Sequence, residues 1–153
     1  MDAIFDHDVL NGHVTFRTEP WTMEERGAWF RRYDRKRYHV LVGQIADRVV
    51  GCAYSSRYRA AGPFETAVET SIYLDHPRRR KGLGTALYPA LLEPLASRDV
   101  HVAVAGIALP NDASIALHRR LGFEQVGVFR EYARKNGTWI SSVWFQRFIG
   151  PAS

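Results

Sequence analysis

The sequence predicts an α/β fold in which helices flank a mixed, mostly antiparallel sheet. Short segments alternate between apolar and polar residues, which is typical of strands, whereas leucines recur at helical spacing between residues 83 and 95. Because strand-like and helix-like segments follow one another along the chain, helices are expected to cover the faces of the sheet. The chain has 153 residues, 46% of them hydrophobic, with no linker-like stretch and no internal repeat. Residues 1–153 are therefore predicted to form one domain.

The first half of the chain predicts a helix followed by a β-hairpin. Thr22 can cap a helix whose first turn is acidic, and this helix is predicted to run to about Arg37. Residues 38–45 then alternate like a strand. Residues 49–58 return as its hairpin partner after a turn at residues 46–48.

The middle of the chain predicts a strand, a helix and a second strand. The first strand is expected near residues 67–74, and the helix follows Gly84. Pro89 and Pro94 lie inside that helix, so either proline could kink it or end it. The unbroken apolar run at residues 101–109 is typical of a strand that is covered on both faces.

The last third of the chain predicts a helix and two antiparallel strands. Asn111 or Asp112 can cap the helix, and Gly122 is suited to end it. The strands are expected at residues 125–132 and 139–148, joined by a turn at residues 135–137.

Composition argues against several kinds of partner. Lys and Arg exceed Asp and Glu by five, but the basic residues are spread over several predicted elements, and no nucleic-acid-binding motif accompanies them. No apolar run is long enough to span a membrane and no export signal is visible, so a cytoplasmic protein is expected. The single Cys52 lies in an apolar segment and is predicted to be buried rather than nucleophilic. We expect neither a nucleic acid nor a membrane as partner.

A basic, glycine-containing turn follows the strand predicted near residues 67–74. The segment from Tyr73 to Leu87 reads YLDHPRRRKGLGTAL, so that a strand runs into cations and a glycine pair before a helix. The free backbone N–H groups and the dipole at a helix start attract anions. Residues 79–84 therefore predict a site for a polyanion such as a cofactor pyrophosphate. The alternative for this segment alone is a solvated helix start.

Two common phosphate-binding motifs do not fit this turn. The dinucleotide fingerprint needs a third glycine, and the Walker motif needs Lys and Ser or Thr after its last glycine, whereas Gly84 is followed by Thr85 and Ala86. The spacing Arg79-x-x-Gly82-x-Gly84 instead resembles the acetyl-CoA signature of the GNAT acetyltransferase superfamily. This resemblance implies a GNAT fold and acetyl-CoA as cosubstrate.

A second motif lies 27 residues after Gly84. In LPNDASIALHRRLGF, Asn111, Ser114 and His118 are three and four residues apart, which places them on one face of the predicted helix. Each residue alone could have a structural role. Together with the glycine turn, the segment resembles the N-x-x-A/S-x-x-x-Y-x-x-x-G-F pattern of GNAT enzymes, with His118 at the usual tyrosine position.

Longer segments resemble a narrower family, the phosphinothricin and methionine sulfoximine N-acetyltransferases. These segments are TFRTEP (15–20), AVETSIYL (67–74), RRKGLGTALY (79–88), ALPNDASIALHRRLGF (108–123) and NGTW (136–139). The resemblance covers nearly the whole chain. It implies acetyl transfer from acetyl-CoA to the primary amine of a small amino-acid-like acceptor.

The resemblance also implies two catalytic residues. Glu69 occupies the position of the catalytic carboxylate, and burial in an apolar strand would raise its proton affinity toward the range of a general base. His118 is expected to protonate the departing CoA thiolate or to relay protons. An outward, solvated Glu69 is the alternative from the strand pattern alone. The chemistry needs no metal, and no His/Cys spacing suggests one.

The cofactor contacts carry over from the family in the same way. Backbone groups of Ile72, Tyr73 and Leu74 are expected to meet the pantetheine arm as an added strand would. Asn111 and Ser114 are expected on its other side. The pyrophosphate is expected to lie against the turn residues Arg79, Arg80, Lys81, Gly82, Leu83, Gly84 and Thr85.

The predicted acceptor pocket departs from the family pattern. Phe16, Arg57, Arg59 and Phe64 are the candidate substrate contacts, although simple solvation is an alternative for the two arginines. Ala61 and Phe64 stand where relatives often have a basic residue and an aromatic hydroxyl, and Ser141 replaces a frequent Asp. Loss of a guanidinium that could bind an oxyanion predicts methionine sulfoximine as a better acceptor than phosphinothricin.

The resemblance also predicts features of the N-terminal strand and of the oligomeric state. Relatives begin with a strand and most of a helix before the segment matching residues 3–7, so the usual first strand is expected to be missing, and an exposed sheet edge would need a cover. A homodimer is the family's usual state. Two other functions remain open, namely a GNAT enzyme for a polyamine, aminoglycoside or peptide N-terminus, and a noncatalytic CoA-binding module.

Overall fold

The computed structural model describes residues 2–33, 36–75 and 82–150. In these residues four α-helices flank a six-stranded mixed sheet with the strand order β1-β2-β3-β4-β6-β5. The elements are α1 (Asp2–Asn11), α2 (Met23–Phe30), β1 (Val40–Ile45), β2 (Arg48–Arg57), β3 (Ala67–Leu74), α3 (Leu83–Leu95), β4 (Val102–Ala108), α4 (Asp112–Arg120), β5 (Glu124–Lys135) and β6 (Thr138–Phe148), with a 3₁₀ turn at Gly62–Phe64. The predicted α/β class is confirmed.

The sheet is antiparallel except at its centre. The pairs β1–β2, β2–β3, β4–β6 and β5–β6 are antiparallel, whereas β3 and β4 run parallel. Within the described residues the first strand is β1, and α1 precedes it. β5 lies at the edge of the sheet and has one strand neighbour, β6.

The parallel pair separates soon after it begins. Only Ala67, Val68 and Glu69 of β3 are in register with β4, opposite Val102 to Val104. β3 continues to Leu74 and β4 to Ala108 without pairing to each other, while their outer edges remain bonded to β2 and β6. The two strands therefore open into a wedge at the middle of the sheet.

The main core lies between α3 and one face of the sheet. Tyr88, Leu91 and Leu95 of α3 are almost completely buried and belong to the same cluster as Val68 and Phe145. Pro89 lies inside the continuous helix, so it does not end it, and α3 stops one residue after Pro94. Each proline removes one backbone donor, and the buried leucine face keeps the helix in place.

The helix predicted from Thr22 to about Arg37 is shorter than expected. Thr22 does cap it, and Glu25 completes a capping box, but α2 ends at Phe30. The chain turns there, and the Tyr33 ring lies 4.7 Å from that of Trp29 and 6.3 Å from that of Tyr54 on β2. The prediction of a helix to Arg37 was wrong because these tertiary contacts outweigh local helical preference.

α1 is attached to the opposite face of the sheet through an aromatic ring and a buried cation. The Phe5 ring lies 4.6 Å from that of Tyr73 on β3. At the other end of the helix, Lys135 Nζ of β5 donates to the carbonyl oxygens of Gly12 at 2.8 Å and Thr15 at 3.1 Å, and approaches that of Asp8 at 3.5 Å. The Lys135 ammonium group therefore satisfies backbone carbonyl groups at the end of α1 and in the loop that follows.

Candidate active site

Where β3 and β4 separate, they form two walls of a cleft of about 620 Å³. One side is formed by residues 70–74 of β3 and the other by residues 105–108 of β4. The start of α3 and one face of α4 close the cleft, and Asp8 and Val14 reach it from α1 and the loop after it. Ile72, Tyr73 and Leu74, which sequence analysis assigned to the cofactor, all line it.

The start of α3 presents backbone donors to the cleft. Gly82 precedes the helix with φ of +78°, and no side chain of the described residues caps the first turn. The first N–H groups of a helix have no intrahelical acceptor. Gly82, Gly84 and Thr85 line the cleft, whereas Leu83 opens the helix without lining it. The predicted contacts Arg79, Arg80 and Lys81 lie outside the described residues.

Gly84 lies where α3 closely approaches α4. A Cβ atom at this position would lie 2.8 Å from Leu117 Cδ2 of α4 and 3.6 Å from Leu74 Cδ1 of β3. Contacts between carbon atoms below about 3.5 Å are repulsive. A side chain here would therefore force the end of the Leu117 side chain to move.

The motif on α4 lies on the facing wall. The side-chain oxygen of Asn111 accepts from the backbone N–H of Ser114 at 3.2 Å, so Asn111, rather than Asp112, is the N-cap. Asn111, Ser114 and His118 all line the cleft, as their spacing predicted. His118 is almost fully buried, with its ring against Phe123 and Phe145.

Both ring nitrogens of His118 are hydrogen bonded. Nδ1 lies 2.8 Å from the carbonyl oxygen of Ser114, which can only accept, so Nδ1 carries a proton. Nε2 lies 3.1 Å from the Tyr88 hydroxyl, which in turn lies 2.7 Å from Thr70 Oγ1. Burial lowers the pKa of His118, and the Ser114 carbonyl opposes this shift only in part. A neutral His118 accepts from Tyr88, and Thr70 can then donate to the Tyr88 oxygen or to the Val104 carbonyl.

Glu69 lies at the closed end of the wedge, on the opposite face of β3 from Thr70. It is the last residue of β3 in register with β4, and alternation along the strand puts it on the same face as Ser71 and Tyr73. The side chain is half-buried, and burial raises the pKa of its carboxyl group. In the described part of the chain no hydrogen bond or ion pair to this carboxylate is found.

The predicted substrate contacts fall into two groups. The Arg59 guanidinium lies 5.2 Å from the ring centroids of both Tyr58 and Phe64, whereas Arg57 is exposed at the end of β2. Phe16, in the loop after α1, packs edge to face on Tyr132 of β5 at 5.7 Å. Phe16 and Phe64 are therefore not in direct contact.

A chain of aromatic rings connects these two groups. We refer to it as the aromatic belt. Successive ring centroids are 5.4 to 6.2 Å apart in the order Phe16, Tyr132, Phe129, Trp144, Tyr58 and Phe64. A bulge in β5 after Phe129 makes this possible, since the backbone N–H of Glu131, with φ of +50°, donates to Ser141 Oγ at 3.0 Å. Ser141, at the position of a frequent Asp in relatives, thus supports the bulge that places Tyr132 in the belt.

Comparison with a model of a known protein family identifies the family of this chain. The model of the acetyltransferase (GNAT) family matches residues 7–123, which include the wedge and both motifs. The chain belongs to the GNAT acetyltransferase family. The predicted resemblance, the predicted GNAT fold and the prediction of an N-acetyltransferase are confirmed at this level.

Several GNAT relatives have more specific names. The chain is 40% identical over 147 residues to a phosphinothricin N-acetyltransferase from Streptomyces coelicolor, covering 94% of this chain and 86% of the relative. It is 37% identical over 150 residues to an L-methionine sulfoximine/L-methionine sulfone acetyltransferase from Pseudomonas aeruginosa, covering 97% and 87%. A phosphinothricin acetyltransferase from Sinorhizobium meliloti, solved in complex with acetyl-CoA, superimposes with a TM-score of 0.90 at 33% identity, covering 97% of this chain and 81% of that one.

Two parts of this GNAT site were missed by sequence reasoning. Tyr88 and Thr70 were given no role from the sequence, although a phenol within a leucine-rich helix face was a signal that a buried partner is needed. Trp144 and the rest of the aromatic belt gave no local signal, because their contacts depend on the bulge in β5. In residues 2–33, 36–75 and 82–150 no cluster of three His, Cys, Asp or Glu side chains could hold a metal, and no helix is long and apolar enough to cross a membrane.

Proposed function

We propose that this GNAT enzyme transfers the acetyl group of acetyl-CoA to the primary amine of a small amino-acid acceptor of the methionine sulfoximine or phosphinothricin type. The observation that carries the proposal is the wedge, which has Glu69 at its closed end and the His118–Tyr88–Thr70 chain on the other face of β3. The names of the relatives support this class of acceptor.

The residues of the cleft fit a CoA thioester. The inner edges of β3 and β4 are free of each other beyond Glu69 and Val104, so an extended pantetheine arm can bond to them as a strand would. The start of α3, which no side chain of the described residues caps, suits a pyrophosphate. The bound cosubstrate supplies the acetyl group. Asn111 and Ser114 would border it from α4.

Glu69 is proposed to act as the general base. A protonated amine cannot attack a thioester, so its proton must be removed either directly or through water. The half-buried carboxylate has no fixed partner in the described residues, and its raised pKa brings its proton affinity closer to that of the group it must deprotonate. A carboxylate bound in an ion pair would be a weaker base.

His118 is proposed to orient and relay rather than to act as a direct acid. Its pKa is lowered and its Nδ1 proton is donated to Ser114, so little imidazolium is available at neutral pH. Its Nε2 instead fixes the Tyr88 hydroxyl, which contacts Thr70 at the wall of the cleft. With Tyr88 oriented in this way, the Thr70 hydroxyl can donate a hydrogen bond toward the departing thiolate, and the proton that the thiolate finally takes up comes from solvent.

The acceptor is proposed to bind on the face of the sheet that carries Glu69. Arg59, held over Tyr58 and Phe64, is the candidate for its carboxylate, with Arg57 nearby in sequence and Phe16 at the other end of the aromatic belt. Because Ala61 and Phe64 replace groups that could bind an oxyanion, we expect methionine sulfoximine to be acetylated with higher kcat/KM than phosphinothricin.

The protein is proposed to act in the cytoplasm, where acetyl-CoA is available. It is also proposed to form a homodimer. β5 is a twelve-residue edge strand, and it exposes Val126, Val128 and Phe129. Pairing of two β5 strands about a two-fold axis would cover these side chains and the free backbone edge.

The decisive experiment replaces Glu69 by Gln. This change keeps the shape of the side chain and removes the proton acceptor, so turnover of methionine sulfoximine should fall about 100-fold or more. Affinity for acetyl-CoA, measured by calorimetry, should be unchanged. Glu65→Gln, at an exposed carboxylate four residues earlier, is the matched control and should retain full turnover.

Two results would contradict the proposal. Near-normal turnover by Glu69→Gln would mean that the base lies elsewhere. Binding of acetyl-CoA by the wild type without acetylation of any amino acid, polyamine, aminoglycoside or peptide would favour a noncatalytic CoA-binding module.

A further inference from the structure

We propose that Arg120, at the end of α4, binds the ribose 3′-phosphate of the cosubstrate, so that the enzyme distinguishes acetyl-CoA from its 3′-dephospho form. CoA carries two separate phosphate groups, the pyrophosphate and the phosphate monoester on the ribose. The proposed function assigns the pyrophosphate to the start of α3 and leaves the monoester without a partner. The assignment of Arg120 therefore rests on the proposed function and extends it to the nucleotide end of the cleft.

One face of α4 forms a continuous side of the cleft. Four residues at the spacing of a single helix face line it, namely Ala113, Ala116, Leu117 and Arg120. The two alanines are exposed, and their side chains end at the methyl group. This face of α4 therefore leaves room for a bulky group such as a nucleoside, and Arg120 lies at its far end.

Arg120 lies close to the proposed pyrophosphate site. A Cβ atom at Gly84, in the first turn of α3, would lie 2.8 Å from Leu117 Cδ2. Arg120 follows Leu117 by three residues, and side chains at this spacing are neighbours on a helix, with Cβ atoms about 5 to 6 Å apart. A long guanidinium side chain can reach beyond this distance. The start of α3 and Arg120 can therefore hold two phosphate groups of one nucleotide.

The Arg120 guanidinium is available for a ligand. The residue is exposed, and no hydrogen bond or ion pair to it is found in the part of the chain that the structure describes. By contrast, Arg119 donates to Gln125 Oε1 at 3.3 Å and does not line the cleft. An anion that enters the cleft thus meets a cation that has no competing partner among the described residues.

The charges around the cleft favour this role. Among the described residues, the acidic and basic side chains that line the cleft belong to Asp8, Asp112, His118 and Arg120. Two of them are carboxylates, and burial keeps His118 neutral by lowering its pKa, so Arg120 supplies the positive charge of this set. Arg120 also lies in the last turn of α4, where the negative end of the helix dipole would repel an anion without a cation. A guanidinium can donate to two phosphate oxygens at once.

The test compares the affinities of acetyl-CoA and acetyl-3′-dephospho-CoA, measured by calorimetry. The wild type should bind acetyl-CoA about tenfold more tightly, because a charge-assisted hydrogen bond to the monoester is lost in the dephospho form. Arg120→Gln should lower the affinity for acetyl-CoA about tenfold, while the affinity for the dephospho form changes by less than about twofold. Arg120→Lys keeps the charge without the paired donors, so its preference should lie between those of the wild type and Arg120→Gln.

Arg119→Gln is the matched control. It makes the same change of net charge one residue earlier in α4, but it removes a guanidinium that is bonded to Gln125 outside the cleft. Arg119→Gln should therefore keep the preference of the wild type for acetyl-CoA. A similar loss of preference in both variants would reduce the effect to the general charge of the surface and overturn the assignment.

Other outcomes separate this inference from the proposed function. Equal affinity of the wild type for the two cosubstrates would mean that the monoester stays in solvent. A preference that persists in Arg120→Gln would assign the monoester to another cation, and equal losses for both cosubstrates would place Arg120 against a different part of CoA. Each of these results overturns the inference and leaves the proposed function intact. If the wild type binds neither cosubstrate, the proposed function itself has failed and the assignment of Arg120 fails with it.

Discussion

At the scale of single residues, burial alters the two proposed catalytic side chains in opposite directions. Removal from water disfavours the charged form of any group. It therefore raises the pKa of Glu69, which improves a base, and lowers the pKa of His118, which keeps the imidazole neutral and able to accept from Tyr88. The same physical cause thus prepares two different roles on the two sides of β3.

The lowered pKa of His118 predicts how stability depends on pH. In the unfolded chain the imidazole binds a proton as the pH falls through 6.5, whereas the native imidazole resists protonation until a lower pH. The free energy of unfolding should therefore decrease as the pH falls from 6.5 toward the native pKa, because the unfolded state binds more protons in that window.

Urea unfolding between pH 5 and pH 8 measures this effect. The His118→Gln variant, which keeps hydrogen-bonding capacity but does not titrate, should show a shallower loss of stability over the same window. An unchanged slope in His118→Gln would mean that His118 does not resist protonation in the native state.

At the scale of elements, long-range contacts complete what local sequence begins. The strand at residues 67–74 and the cap at Thr22 follow from local patterns and were predicted correctly. The end of α2, the attachment of α1 to Lys135 and the aromatic belt depend on residues far apart in sequence. The bulge in β5 changes which side chains share a face, and nothing in the alternation of that strand reveals it.

The contact between β5 and the end of α1 predicts a strong effect of one lysine. Lys135→Met keeps most of the buried aliphatic chain but leaves the carbonyl groups of Gly12 and Thr15 without their donor. The free energy of unfolding should decrease by about 2 to 4 kcal/mol, because hydrogen bonds from a charged group and unsatisfied buried acceptors are both involved. Chemical denaturation measures the change.

The neighbouring cation is the matched control. Arg134 is exposed and its guanidinium lies over the Trp139 ring at 5.6 Å, so Arg134→Met should cost less than about 1 kcal/mol. Because Val14 and Asp8 line the cleft, Lys135→Met should also raise KM for the acceptor. Equal stability of the two variants would show that α1 does not depend on this ammonium.

At the scale of the whole molecule, the proposed dimer can be tested by substitutions on β5. The double substitution Val126→Lys and Val128→Lys places two charges on the exposed part of the edge strand, which disfavours pairing of strands between subunits. Sedimentation should change from dimer to monomer at micromolar concentration, while circular dichroism stays the same. A monomeric wild type at those concentrations would refute the proposed assembly.

The wedge has a consequence for the way the sheet holds together. Three rungs join the half made of β1, β2 and β3 to the half made of β4, β5 and β6, whereas β2–β3 and β4–β6 each share seven. Local opening follows such weakly joined boundaries, so the inner edges of β3 and β4 should separate more readily than the other strand pairs, while the core cluster against α3 keeps the two halves together. A ligand lying along both inner edges would add bonds where the sheet has fewest. The feature that admits the cosubstrate would then make the cosubstrate part of the sheet, and each release of product would remove those bonds again.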